Sequence, residues 1–281
     1  MMHLLKRMSP AVLAFILCLG SISAASGQGL SVAPSRIFFS GGAPGQTLTT
    51  QLALSNTGKA PVAFSAAMAD WKRDSTGNKI YAPVGSLPGS NASWVETRPA
   101  LTELAPGERK EVTVLLHIPG GQPAKALSHS MLFLTQVNAQ NAFSGSDKQG
   151  NKVGIDIRLQ VGIHIYYTPP GLAPGNLELV AFEDRGMMAR EKDTIRRLVL
   201  KVRNTGAAVM DGNIRFELTS KESGEELPVP PRAVSLLPGA EQLVYMDLPA
   251  HLQGHFLAVA LVDSGAKTHL KVAEKEVVYG P

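Results

Sequence analysis

Two histidines stand four apart in the run HLQGH, at His251 and His255, a spacing that on a helix turns two imidazoles toward one zinc ion. The hydrolytic form of that site also needs a glutamate beside the first histidine, and Leu252 takes the position. Pro249 and Gly254 argue against the helix itself. Nucleophilic chemistry has no better footing. The chain has no Gly-x-Ser-x-Gly turn, no glycine-rich phosphate loop opening a helix, and one cysteine, Cys18, close to its start. The carboxylate pairs Glu183-Asp184 and Glu225-Glu226 lie in polar surroundings and read as solvated loop charge. These residues predict a protein that is not an enzyme, with no catalytic residues, no metal and no cofactor.

The more informative chemistry is that of strand pairing. In NKVGIDIRLQVGIHIYYTPPG (151–171), apolar side chains fall at Val153, Ile155, Ile157, Leu159, Val161, Ile163 and Ile165, with Gly154, Asp156, Arg158, Gln160, Gly162 and His164 between them. Period-two alternation marks a strand with one dry face and one wet face. The pattern predicts one uninterrupted strand running to Tyr167, where Thr168-Pro169-Pro170-Gly171 stops it, against an ordinary strand length of ~3–10 residues. The polar stretch before it, NAQNAFSGSDKQGNK (138–152), is expected to be a mobile loop.

The elements that must hold such a strand belong to an exported chain. Lys6 and Arg7 precede the apolar run AVLAFILCL, and small residues follow at 23–26, which is the layout of a signal peptide over residues 1–25. Cleavage would remove Cys18 and leave an exported protein without disulfides, whose core alone must stabilise it. It would also lower the formal charge of +4 by two, through loss of Lys6 and Arg7. No dense basic run with interleaved aromatics points to nucleic acid, and no later stretch is long and apolar enough for an integral membrane segment.

The remaining chain repeats one plan. LALSNTGKAPVAFSAAM (52–68) and LVLKVRNTGAAVMDGNIRFEL (198–218) each read as strand, Asn-Thr-Gly turn, strand. Downstream, LTELAPGERKEVTVLLHIP (101–119) matches VSLLPGAEQLVYMDLP (234–249), each with a Pro-Gly turn between a short and a longer strand. Asn and Gly are expected to supply the positive-φ positions of these turns. Short strands, frequent Gly/Pro turns and almost no helical period predict an all-β chain of two immunoglobulin-like β-sandwich domains in series, residues 28–170 and 174–281. The proline-rich TPPGLAPGN (168–176) is the linker. One turn of helix is expected over 187–193, a charged hairpin tip in WKRDSTGNKI (71–80), and core positions for Trp71 and Trp94.

Three stretches carry a family resemblance: LSVAPSRIFFSGG (30–42), with Arg36 ahead of a hydrophobic pair; LTELAPGERKEVTVLLHIP; and IDIRLQVGIHIYYTPPG (155–171). In these the first domain resembles the PapD-like periplasmic chaperones of the chaperone–usher pilus pathway, as a divergent member. The resemblance implies a periplasmic protein that binds pilus or fimbrial subunits by donating a β-strand and delivers them for assembly. Val153, Ile155, Ile157 and Leu159 would be the donated row, filling the open groove of a subunit that lacks its last strand. Arg36 and His164 would anchor the subunit's terminal carboxylate. The implied partners are the subunits and an outer-membrane usher, and an unpaired apolar edge also invites self-association. The chain departs from the family pattern where His164 stands in place of a lysine and Thr168 in place of a basic residue. The alternative is an exported structural or adhesive protein of tandem immunoglobulin-like domains.

Overall fold

The computed structural model describes residues 29–122, 124–138, 140–146, 152–191, 193–265 and 270–280, without the side chains of 140–146 and 152–156. The expected signal peptide lies outside them.

Two sheets enclose the first core. One has the order β1 (Leu30–Ala33), β3 (Thr47–Asn56), β8 (Arg109–His117), β6 (Val95–Arg98). The other has the order β2 (Arg36–Ser40), β12 (Gln160–Thr168), β9 (Ser128–Gln136), β4 (Val62–Arg73), β5 (Lys79–Ala82), and β7 (Leu101–Leu104) also pairs with β4. The first strand changes sheets between Ala33 and Arg36, so that β1 pairs antiparallel with β3 while β2 runs parallel to β12. Alternate residues meet inside: Leu52 and Leu54, Val114 and Leu116, Leu132 and Leu134, Ile163 and Ile165 are all buried. Leu177 to Tyr279 repeat the plan around a second core. There β13 (Leu177–Arg190), β14 (Asp193–Asn204) and β18 (Glu241–Pro249) face β16 (Glu226–Pro228), β15 (Met210–Ser220), β19 (Gly254–Asp263) and β20 (Lys271–Tyr279), with β17 (Arg232–Leu236) on β15. Among the described residues the sole helical element is one 3-10 turn, Ala92–Trp94. The fold is all-β, two sandwiches in series.

The repeated Asn-Thr-Gly has a purpose that differs from the expected one. Neither Asn56 nor Asn204 has a positive φ, and neither do Gly58 and Gly206; the positive values belong to Gly107 (74°) and Gly239 (73°) in the Pro-Gly turns. The asparagines are buried cross-braces instead. Asn56 Nδ2 donates to the Ala60 and Leu104 carbonyls at 2.8 and 3.2 Å, and its Oδ1 accepts the Gly58 N–H at 2.9 Å. Asn204 does the same with Ala208 (2.8 Å), Leu236 (3.0 Å) and Gly206 (3.0 Å). Each backbone also accepts from the Pro-Gly turn, Gly107 to Asn56 at 2.8 Å and Gly239 to Asn204 at 2.9 Å. One amide thus satisfies the polar backbone of two turns in each sandwich, where water is excluded.

Three expectations require correction. The long strand is not continuous. It divides at Arg158-Leu159 into β11 (Lys152–Ile157) and β12. The cause lies on the partner strand. Past Gln136 the chain turns aside, with the Val137 N–H donating to the Ala63 carbonyl (2.9 Å) and Asn138 Oδ1 accepting the Ala63 N–H (2.8 Å). Buried Gln136 then bridges the gap, its N–H donating to Leu159 O at 2.8 Å and its Oε1 accepting the Leu159 N–H at 3.2 Å. The ladder consequently jogs, from Thr135 opposite Gln160 to Gln140 opposite Ile157. Second, the stretch expected as a mobile loop contains a strand, β10 (Gln140–Ser146), antiparallel to β11. Third, the described residues of 187–193 form no helix turn: Met187 to Arg190 complete β13, opposite Arg196 to Asp193. Hairpin pairing there satisfies backbone that a lone helical turn would leave open.

Candidate functional site

Two features could recognise a partner, and both involve β12. The first is an open edge. Strand β12 is paired with β9 from Gln160 to Tyr167, but on its other side β2 pairs only with His164 to Thr168. Among the described residues strand β11 is paired with β10 alone. From Lys152 to Ile163, therefore, one side of this ribbon has no strand neighbour among the described residues. Ile157 is 42% exposed. Leu159 is half-buried against the first core. The side chains of Val153 and Ile155 lie outside the described ones.

The second feature is the cleft between the sandwiches. Parallel pairing sets His164 opposite Arg36 and Tyr166 opposite Phe38, on the outer face of the sheet. Phe38 stacks on Tyr166 with ring centroids 5.0 Å apart. Trp71 from β4 meets His164 edge-on at 4.6 Å, and Tyr166 Oη lies 3.3 Å from His164 Nδ1. The Trp71 indole N–H donates to the Ser130 carbonyl at 3.1 Å. Trp71 and Tyr166 thus belong to a cluster outside both cores, covered by Leu172 of the linker and by Val209 and Leu237 of the second sandwich. Trp94 packs against the first core. The charged tip of the β4–β5 hairpin also docks on the second sandwich, where the Leu243 N–H donates to the Ser75 carbonyl at 2.7 Å.

Arg36 and His164 come together, but in different surroundings. Arg36 faces a cleft of about 610 Å³, where its Nη1 donates to Asp211 Oδ2 of the second sandwich at 2.6 Å. His164 lies behind it, only 7% exposed. Burial, reinforced by the charges of Lys79, Arg36, Arg73 and by His129, pushes its pKa down to about 4, so the imidazole is neutral near pH 7. Burial likewise pushes the Tyr166 phenol up to about 12. Sequence reasoning missed Asp211, Arg73 and Lys79. They come from β15, β4 and β5, and no local pattern marks them as lying near Arg36.

His251 and His255 lie in a turn and at the start of β19, not on a helix. Among the described residues no cluster of three His, Cys, Asp or Glu side chains could hold a metal. No helix among them is long and apolar enough to cross a membrane.

No family model matches the chain, and no curated protein matches it. Similar solved structures include the CsuC–CsuE chaperone–tip adhesion subunit pre-assembly complex from archaic chaperone–usher pili of Acinetobacter baumannii, at 13% identity and a TM-score of 0.46, covering 88% of this chain and 97% of that one. The complex of SafA pilin with the SafB chaperone of Salmonella enterica matches at 14% identity and 0.44, covering 89% and 96%. The CupB2 chaperone of Pseudomonas aeruginosa matches at 12% and 0.44, covering 89% and 100%. Likeness at this level carries no functional weight.

Proposed function

We propose that this protein is a periplasmic chaperone of the PapD-like kind, which captures pilus or fimbrial subunits by lending them a strand and delivers them for assembly. The observation that supports the reading is the open edge of the β11–β12 ribbon. An unpaired row of backbone N–H and C=O groups, flanked by alternating apolar side chains, is what an incomplete sandwich needs to close its groove. Val153, Ile155, Ile157 and Leu159 form the lent row. Each apolar side chain buried in a subunit pocket would contribute ~1.5–3 kcal/mol. Leu159, already against the chaperone's own core, sits at the base of that row. Arg36 is the charged half of the carboxylate anchor. His164, neutral at pH 7, offers the second position an N–H or a lone pair and no charge. The same edge would pair with a second copy of the chain when no subunit is present, and an outer-membrane usher would receive the loaded complex.

The test is capture of co-expressed fibre subunit by the tagged chaperone. Wild type is expected to bring the subunit down from periplasmic extract, and Arg36→Ala to bring down far less. Wild-type chaperone that retains no subunit, or Arg36→Ala that captures as well as wild type, would count against the strand-lending reading or its anchor respectively.

A further inference from the structure

Arg36 already holds a carboxylate, that of Asp211, 175 positions away and on the other sandwich, at 2.6 Å. Both side chains are open to solvent, 35% and 58% exposed. A pair so exposed contributes little to stability, so exchanging one of its members costs little. The surroundings favour a second anion. Arg73 lines the same cleft, with its Nη1 donating to the Gly77 carbonyl at 2.7 Å and its guanidinium over the Trp71 ring. Lys79 lies close enough that burial, then Arg73 and Arg36, push its pKa down. Among the described residues lining the cleft the other carboxylate is Asp263, which accepts the Gly265 N–H at 2.9 Å. Arg36 and Arg73 thus line the cleft where Asp211 is the carboxylate seated on Arg36, with Lys79 opposite Arg73 on the neighbouring strand.

We propose that Asp211 is a placeholder: it occupies on Arg36 the seat taken by the terminal carboxylate of a bound chain, and capture proceeds by exchange, Asp211 leaving as the incoming carboxylate arrives. The identity of that chain as a fibre subunit rests on the function proposed above. The exchange itself follows from the ion pair and the cations around it. No bond forms or breaks, and no proton need move, since a guanidinium stays charged throughout. Asp211 then has two effects. It raises the concentration of carboxylate needed to load Arg36, and its departure releases one link between the sandwiches as loading occurs.

The experiment follows the Arg36 side-chain N–H resonance in the full mature chain during titration with N-acetyl-valyl-valine, beside its C-terminal amide. Asp211→Asn is expected to bind the carboxylate form about two- to fivefold more tightly than wild type, the range an exposed ion pair can supply. The amide should be unaffected. Asp211→Glu keeps the charge and should stay near wild type, which guards against an effect of substitution alone. Equal affinity of wild type and Asp211→Asn for the carboxylate overturns the proposal, as does equal tightening for the amide. Subunit pull-down is a separate measurement: peptide exchange as described, with no subunit captured, would leave the placeholder in force and remove the chaperone reading.

Discussion

The imidazole of His164 stands edge-on to the indole of Trp71, ring centroids 4.6 Å apart at an interplanar angle of 83°. That contact places a titratable group where water is scarce and positive charge is near. Unfolded, the histidine binds a proton near pH 6.5; folded, it does so only at about 4. Between those values the unfolded chain holds the extra proton. The stabilisation is therefore complete above pH 6.5 and is lost as pH falls through the window toward 4. Wild type should lose about 1–3 kcal/mol relative to His164→Gln across that window, a figure reduced from the full shift for residual solvent screening. Denaturant melts of both proteins between pH 4 and 7.5 check it; parallel profiles would show that His164 titrates normally.

Ile157, 42% exposed at the end of β11, has little to lose in the isolated protein when made polar. Ile157→Asp is expected to melt within about 0.5 kcal/mol of wild type, as surface substitutions do. Subunit capture should fail, because a carboxylate in an apolar pocket is costly to desolvate. A collapsed melt with capture intact would make Ile157 a core residue of an ordinary strand.

The cross-brace asparagines should act each on its own sandwich. Asn204→Ala leaves the Ala208 and Leu236 carbonyls and the Gly206 N–H without their partner. We expect a loss of about 2–4 kcal/mol, confined to the second sandwich. Asn56→Ala should do the same to the first. Calorimetry resolving two transitions is the measurement, and a shift of both transitions by either substitution would refute the independence.

Two glycines offer a contrast. Gly107 has φ 74° with open space around it, so Gly107→Ala should cost about 1 kcal/mol of backbone strain. At Gly206 a Cβ would run into the Pro174 carbonyl and the Asn176 nitrogen, which are backbone atoms of the linker. Gly206→Ala should therefore cost clearly more, with the linker pushed from its seat. Equal losses in urea melts would show that the linker yields freely.

Much of this protein was legible in its residues. Alternation at Ile163 and Ile165, and the doubled Asn-Thr-Gly and Pro-Gly turns, report local periodicity and turn chemistry, and both are properties of a few neighbouring residues. Those signals suffice for strands, for the repeat and for an all-β class. They do not say what covers a face. That Asn56 and Asn204 would brace two turns rather than take a positive φ depended on the Leu104 and Leu236 carbonyls arriving beside them. The strand expected as continuous breaks at Leu159 because Asn138, 21 positions earlier, prefers the backbone of Pro61 and Ala63. Arg36 and His164 read alike as polar residues on the wet face of a strand. Only the second sandwich and Trp71 decide that one reaches Asp211 across a cleft while the other is dried and held neutral. Charge state follows burial, and burial of that outer face is set by a domain whose sequence carries no mark of where it will dock.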